Sequence, residues 1–346
     1  YQNLMKNKIL VTGAQGYIGT RLIQLLHKKY NIVATDSGFF QNCTIEKYKD
    51  PIKVIKMDLR KFNYKILKNV DTIIHLGALS NDPSSEINHK ITKDINFKST
   101  VKLAKFAKKM KVKKFIFSSS CIMYGTNFNK KVDENSILKP LTVYAKSKVW
   151  AEKELGKLAS KDFSPIFVRN GTIYGFSPRM RFDTVLNNFF IQAYCTGKID
   201  VLSRGLQFRP VIHLDDIIKS FEVFINAPKK KIHNQAFNTG SDNNNFKIIK
   251  LAKLVKNNFK KTKLNILNQK NHDNRSYITS FNKISKTFPK LKFSSNYSRR
   301  LKEMENIFLK KNIDKDIIKK NQFIRLKWLN DLKIKKILNR NFSFVK

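Results

Sequence analysis

Tyr144 and Lys148 stand four residues apart in Tyr144-Ala145-Lys146-Ser147-Lys148, a spacing that puts both side chains on one face of a helix. A phenol near pKa 10 is a poor base at neutral pH, but a neighbouring cation favours the phenolate and makes Tyr144 a feasible acid/base. Ser120 closes Ser118-Ser119-Ser120, just past the apolar run 114–118, where its hydroxyl can hydrogen-bond a reacting oxygen. Alone, a Tyr-x-x-x-Lys pair says little in a chain with 57 lysines. Its weight comes from what precedes it.

That is Thr12-Gly13-Ala14-Gln15-Gly16-Tyr17-Ile18-Gly19, set between an apolar strand (residues 8–12) and a helical stretch (17–29). In this setting Gly13 permits a tight turn, Gly16 lets backbone approach a pyrophosphate, and Gly19 allows close helix packing. The phosphates would sit at the helix N-terminus, among unpaired backbone donors. Gln15, Tyr17 and Ile18 of the same stretch are expected to line the dinucleotide. Asp36 ends the next strand (31–35), 17 residues after Gly19, where a carboxylate accepts both ribose hydroxyls of NAD and repels the extra phosphate of NADP. Asp58 and Leu59 follow the third strand (53–57) and suit either an adenine contact or a plain helix cap. The expected cofactor is NAD, whose nicotinamide cation would further favour the Tyr144 phenolate.

Taken together these residues carry a resemblance. With His75-Leu76-Gly77-Ala78, Asn96, Tyr124-Gly125, Tyr174-Gly175 and Arg209-Pro210-Val211-Ile212-His213, the chain resembles the extended short-chain dehydrogenase/reductases over roughly residues 7–290. These are the NAD-dependent nucleotide-sugar epimerases and dehydratases, and the likeness is of the UDP-glucose 4-epimerase kind. The resemblance implies Ser120, Tyr144 and Lys148 as a catalytic triad, Lys148 also holding the nicotinamide ribose, Asn96 near the nicotinamide, and Leu76, Gly77 and Ala78 along the dinucleotide. It implies hydride removal from sugar C4 while Tyr144 takes the hydroxyl proton. An epimerase then returns the hydride to the other face of a 4-keto sugar. In the family's 4,6-dehydratases an Asp-Glu pair follows the triad's hydroxyl residue; here Cys121-Ile122 stands there, and Ile122 cannot move a proton. Cys121 serves as acid/base in some relatives, but it lies three residues before Tyr124 rather than two, and a core cysteine is the expectation.

For the substrate, Ser177-Pro178-Arg179-Met180-Arg181-Phe182-Asp183 presents two of only 12 arginines, Arg179 and Arg181. They would clamp a diphosphate or sugar bidentately, or else pair with Asp183. With Asn188 close behind, the stretch resembles a subgroup that includes enzymes oxidising C4 of GDP-linked heptoses, so a 4-dehydrogenase or 4-reductase stays open beside a 4-epimerase. Arg209 and Arg275 resemble the family's nucleotide-phosphate arginines, and Ser80 joins the expected substrate contacts. Thr172 stands where the family often has Asn. His213 is expected to be a structural hydrogen-bonding residue.

The elements that must position these groups are those of an α/β protein. Short apolar strands (8–12, 31–35, 53–57, 72–76, 114–118, 165–169) alternate with helical stretches such as 94–109 and 144–161. The pattern is a Rossmann-like doubly wound parallel sheet over residues 1–175, with a return to it near 205–240. A smaller mixed α/β substrate lobe spans mainly 176–297, with helices near 184–196, 214–226 and 245–260. A basic helical extension (298–346) is expected to pack on the body through residues such as Trp328 and Leu329.

Composition bounds the rest. The 346 residues are 41% hydrophobic, with 27 Phe, so the chain can build a sizeable core. Three widely spaced cysteines form neither a disulfide scaffold nor a zinc pattern, and no metal is expected. No apolar run reaches membrane-spanning length. The sequence runs almost at once into its first strand, so a cytoplasmic protein is expected. The net charge of +44 suggests a polyanion, yet the excess is scattered Lys rather than Arg, and nucleic acid is not the expected partner. The partners implied are a nucleotide sugar and, by the resemblance, a second copy, through a four-helix bundle built on helices 94–109 and 144–161.

Overall fold

The strand β1 (Lys8–Thr12) is largely apolar on both faces, and so are β2 (Asn31–Asp36), β4 (Thr72–His75) and β5 (Lys114–Ser120), while the short β3 (Val54–Lys56) closes one edge with Ile55 exposed. Such strands need cover on both sides, which only crossover helices supply. In the computed structural model, which describes residues 7–127, 131–269 and 275–345, they form a seven-stranded sheet. Its order is Gln235–Thr239, Ser164–Asn170, β5, β4, β1, β2, β3, with every pairing parallel. Ile9, Val11, Ile74 and Ile116 face one core, while Leu10, Ile73, Phe115 and Phe117 face the other. The order reverses between β1 and β4, so a crevice opens beyond their C-terminal ends.

The helix Tyr17–Leu26 starts in that crevice. Gly13 has φ +72°, and a Cβ there would meet Gly77 N at 2.7 Å. A Cβ on Gly19 would lie 2.2 Å from the Gly13 carbonyl oxygen. Both glycines are thus fixed by contact between the turn, the helix and the end of β4.

Across the sheet, the expected helix 94–109 is longer than its sequence suggested. It runs from His89 to Lys109, with Asn88 accepting from the Ile91 N–H at its start and a π-helical stretch over Asp94–Lys98. It packs on Val143–Lys157, which carries Tyr144 and Lys148.

A separate three-stranded sheet is formed by Thr172–Tyr174, Phe208–His213 and Asn245–Lys247. The expected helix 245–260 therefore begins later, at Ile248, because Asn245–Lys247 pairs antiparallel with Phe208–Pro210. The helix Leu214–Asn226 then returns the chain to the last strand of the main sheet. Tyr17 ties the two parts together: its hydroxyl donates to the Gly175 carbonyl at 2.6 Å and accepts from Asn187, while its own carbonyl accepts from Ser177.

The C-terminal residues spread over the body. Tyr297–Lys310 buries Leu301, Met304 and Phe308 in the larger core. Arg325–Ile334 and the residues after it seat Leu329, Leu332, Leu338 and Phe342 on Phe39, Leu79, Ile91 and Ile95. No helix among the described residues is long and apolar enough to cross a membrane.

The glycine contacts give a direct test. Gly19→Ala forces its methyl into the Gly13 carbonyl, and we expect a stability loss of roughly 1–3 kcal/mol with weakened dinucleotide binding. Thermal unfolding and nucleotide titration read this; an unchanged Tm with unchanged binding would show that the turn has slack.

Candidate active site

The glycine turn and β2 build one half of the crevice. Asp36 is buried, and its two carboxylate oxygens accept from the backbone N–H groups of Gln15 at 2.9 Å and Gly38 at 2.7 Å. Burial raises its pKa, against which these two donors work. Each oxygen keeps a lone pair towards the cavity, where ribose hydroxyls can donate. Gly16 caps the following helix without a side-chain bond, leaving its first N–H groups for a phosphate. Gly13, Gly16, Tyr17, Ile18 and Gly19 line this cavity, and so do Leu76, Gly77 and Ala78 from the opposite wall.

Two expected cofactor residues act at one remove. Gln15 contributes its backbone to Asp36 and its amide to Asp50. Asn96 is 1% exposed and turned into the protein: it accepts from the Leu79 N–H at 2.8 Å and donates to the Leu79 carbonyl and Ser147. It fixes the loop after β4 against the helix that carries Tyr144 and Lys148 rather than facing the cavity. The π-helical stretch that presents it is a feature often found at functional sites. Asp58 lines the cavity and also caps Leu59–Lys61, its carboxylate held by Arg60.

The other half holds the proposed chemistry. Ser120 ends β5 and accepts from the Ile122 N–H, and Ser120 and Tyr144 line one cleft. Thr142 caps the helix of Tyr144 by accepting from Ala145. Lys148 Nζ donates to the Ser118 carbonyl at 2.7 Å and sits 4.6 Å from the Phe117 ring centre and 5.6 Å from that of Tyr144.

The electrostatics differ from the simple expectation of an ammonium lowering the phenol. Burial, with Asp82 adding to it, pushes the Tyr144 phenol well above its usual range. Burial pushes Lys148 down to about 7, opposed by Glu152 one turn further along the helix. The dry site thus favours the neutral form of both partners, and a further positive charge nearby is needed to draw the phenol proton off.

Beyond them lies a cleft of about 670 Å³, lined by Ser80, Ser120, Thr172, Arg181, Asn188, Arg209 and Arg275 as expected, and by Ile122. Arg275 Nη1 pairs with Asp82 at 2.6 Å, and Arg209 donates to the Arg275 carbonyl. Asp273 and Asn274, the residues leading into Arg275, lie outside the described residues. Arg181 lines both cavities and pairs with Asp183 at 2.7 Å, so the clamp and the ion pair coexist.

Arg179 does not join the cleft. Its guanidinium is buried against Asp50 at 2.7 and 2.9 Å and donates to Thr20. Alternate residues in this irregular stretch point apart, so only one of the two arginines reaches the site. Cys121 is fully buried, with its thiol donating to the Arg169 carbonyl. Burial pushes its pKa up, as befits a core cysteine. His213 accepts from Asp215 N–H as a helix cap, and burial pushes it down to about 4. Among the described residues no cluster of His, Cys, Asp or Glu is gathered to hold a metal.

Sequence reasoning missed four residues. Asp82 sets the charge opposite Tyr144. Arg169 and Glu152 form a buried pair behind the catalytic helix at 2.7 Å. Arg325, from the C-terminal helix, lines the dinucleotide cavity. The scarcity of Arg was the available signal for two of them.

The profile of the NAD dependent epimerase/dehydratase family matches residues 9–240. The chain belongs to this family. It is 30% identical over 239 residues to the uncharacterized UDP-glucose epimerase YtcB of Bacillus subtilis, covering 64% of this chain and 73% of that protein. The dTDP-D-glucose 4,6-dehydratase of Homo sapiens is 26% identical over 258 residues, covering 71% of this chain and 72% of the human protein. Among solved structures, MoeE5 in complex with UDP-glucuronic acid and NAD matches with a TM-score of 0.76 at 21% identity, over 88% of this chain and 99% of that one. That is a likeness of the Rossmann-like fold. The family is NAD-dependent, and NAD is the cofactor. The residues present fit it: a turn in which added Cβ atoms would collide, a buried carboxylate with free lone pairs, and a buried guanidinium nitrogen without a partner.

The depressed Lys148 has a consequence for stability. Between about pH 7 and the usual lysine range near 10.4, the unfolded chain holds a proton at this position that the folded chain lacks. Its contribution to stability therefore rises with pH through that window. We expect the Tm of Lys148→Met to exceed that of the cofactor-free wild type by most near pH 7, the difference shrinking towards pH 10. A pH-independent difference would show that Lys148 titrates normally.

Proposed function

We propose that this family member is a nucleotide-sugar 4-epimerase that works through a 4-keto sugar. The observation that carries the reading is the convergence of Ser120, Tyr144 and Lys148 on one cleft, which shares Tyr17, Leu76 and Arg181 with the cavity of the glycine turn. In this reading Tyr144 takes the proton of the sugar C4 hydroxyl, and Ser120 holds the same oxygen. Lys148 supplies positive charge to the phenolate and reaches the nicotinamide ribose. NAD, when bound, supplies the acceptor and donor of the C4 hydride. Arg209 and Arg275 take the substrate diphosphate, while Thr172, Ser80, Asn188 and Arg181 meet the sugar side of the cleft. Asp36, the glycine turn and Leu76 to Ala78 hold the dinucleotide, and Asn96 supports them.

What argues against dehydration is the wall beside Ser120. Ile122 lines the cleft there, so no acid is offered to a departing C6 hydroxyl from that position. The carboxylates that do line the cleft are engaged: Asp82 with Arg275 and Thr142, Asp183 with Arg181, and Asp200 with Asn265. We further propose a cytoplasmic homodimer joined through the helices ending at Lys109 and Lys157, to be checked by light scattering in solution.

Purified protein given UDP-, GDP- and dTDP-linked hexoses should interconvert one pair of C4 epimers without accumulating NADH. Net NADH formation would replace the reading by a 4-dehydrogenase, and release of water by a dehydratase. Tyr144→Phe should slow conversion by roughly 10²-fold or more while its bound NAD stays unchanged. Undiminished turnover would remove Tyr144 from its role.

A further inference from the structure

We propose that Arg325, carried by the C-terminal helix, binds the pyrophosphate of the dinucleotide and that the segment after it clasps the cofactor. The proposal rests on NAD as the cofactor and is independent of the chemistry at C4.

Arg325 is 2% exposed, yet it lines the cavity of the glycine turn together with Gly13, Gly16 and Arg181. Its Nη2 has no hydrogen-bond partner. The guanidinium lies 4.2 Å over the Phe40 ring, which orients it without neutralising it. Its Nη1 donates to the Gln322 carbonyl at 3.5 Å, and Cys43 lies close by, its thiol pushed up to about 11 by burial and so uncharged. Asp183 is the one carboxylate near both guanidinia. One of its oxygens is taken by Arg181 Nε, and the other accepts from Asn81 Nδ2 and from the Arg325 backbone N–H rather than its side chain. Asp36 lines the same cavity, but no hydrogen bond or ion pair joins its carboxylate to Arg325; it accepts from the Gln15 and Gly38 N–H groups.

Two buried guanidinia therefore share one carboxylate, and both line the same cavity as Gly16, which caps the helix that begins at Tyr17. A buried charge without a counter-ion is strongly unfavourable, so the site calls for an anion. A pyrophosphate offers two negative charges and oxygens matched to the planar fork. It is also the ligand group that a glycine turn at a helix start accepts.

The rest of the segment is fastened around that cavity. Trp328 Nε1 donates to the Phe39 carbonyl at 2.7 Å, close to Asp36 in sequence. Arg60, which grips Asp58, also donates to the carbonyls of Asn341 and Phe342. Leu329 and Leu332 pack with Leu79 and Ile95 on the far wall. A cofactor placed there would be enclosed by the segment, and leaving would require these contacts to part.

The test uses the full chain stripped of nucleotide. Affinities for NAD, ADP-ribose, NADP and adenosine are measured by calorimetry for wild type, Arg325→Met and Arg325→Lys. Arg325→Met should bind NAD and ADP-ribose at least roughly tenfold more weakly, with adenosine unchanged. Its nucleotide-free Tm should equal or exceed that of wild type, since an unpaired buried charge is gone. Arg325→Lys, which keeps the charge and folds even if the Met variant does not, should lie between the two. NAD affinity equal to wild type overturns the proposal, and so does an equal loss for adenosine, which marks a structural role. A loss confined to NADP would assign the guanidinium to a ribose 2′-phosphate and overturn the pyrophosphate assignment.

Discussion

A lysine charge held in a nearly dry place is the constraint around which this molecule is arranged. Lys148 is the one buried lysine among the described residues, in a chain that carries 57. Its nitrogen has a carbonyl, two aromatic faces and a distant carboxylate for company, and burial leaves its proton loosely held. The Tyr144 phenol beside it is pressed in the opposite direction and keeps its proton. A pair poised in this way responds to whatever charge arrives next. A cationic ring bound against it favours the phenolate, and an empty cavity does not.

Everything around the pair serves to hold that balance. The strand order reverses beside β1, so the sheet opens a crevice where β4 and β5 end. Asn96 locks the loop after β4 to Ser147 on the helix that carries Tyr144. Behind that helix, Glu152 is itself neutralised by Arg169, so its pull on Lys148 is moderated. His75, buried between Thr12 and Thr100 and pushed down to about 3 by burial, stays neutral and ties β1, β4 and the neighbouring helix without adding charge.

Much of this was legible in the sequence because the signals are local. The glycine turn, Asp36, the strand-end serines and the Tyr144–Lys148 spacing each depend on residues a few positions apart, and the parallel sheet follows from runs of apolar residues. What was not legible depends on contacts far apart in the chain. Arg179 and Arg181 look equivalent in sequence, and only the folded loop shows Asp50 claiming the first. The strand Asn245–Lys247 exists because of its partner Phe208–Pro210, not because of its own residues. Arg325 lies some 300 positions from the glycine turn it meets. The net charge misled least where side-chain type was weighed: four of the 12 arginines are buried, three of them in ion pairs, while lysine, Lys148 apart, is partly or fully exposed among the described residues.

On this reading Tyr144 becomes a phenolate when, and because, positive charge surrounds it. Ultraviolet difference titration of NAD-loaded wild type against Tyr144→Phe isolates the absorbance of that one tyrosinate. The account predicts a titration well below the ordinary phenol value near 10, absent without NAD and moved upward in Lys148→Met. A phenol that stays protonated up to pH 10 in the loaded enzyme, or one indifferent to the loss of Lys148, would contradict it.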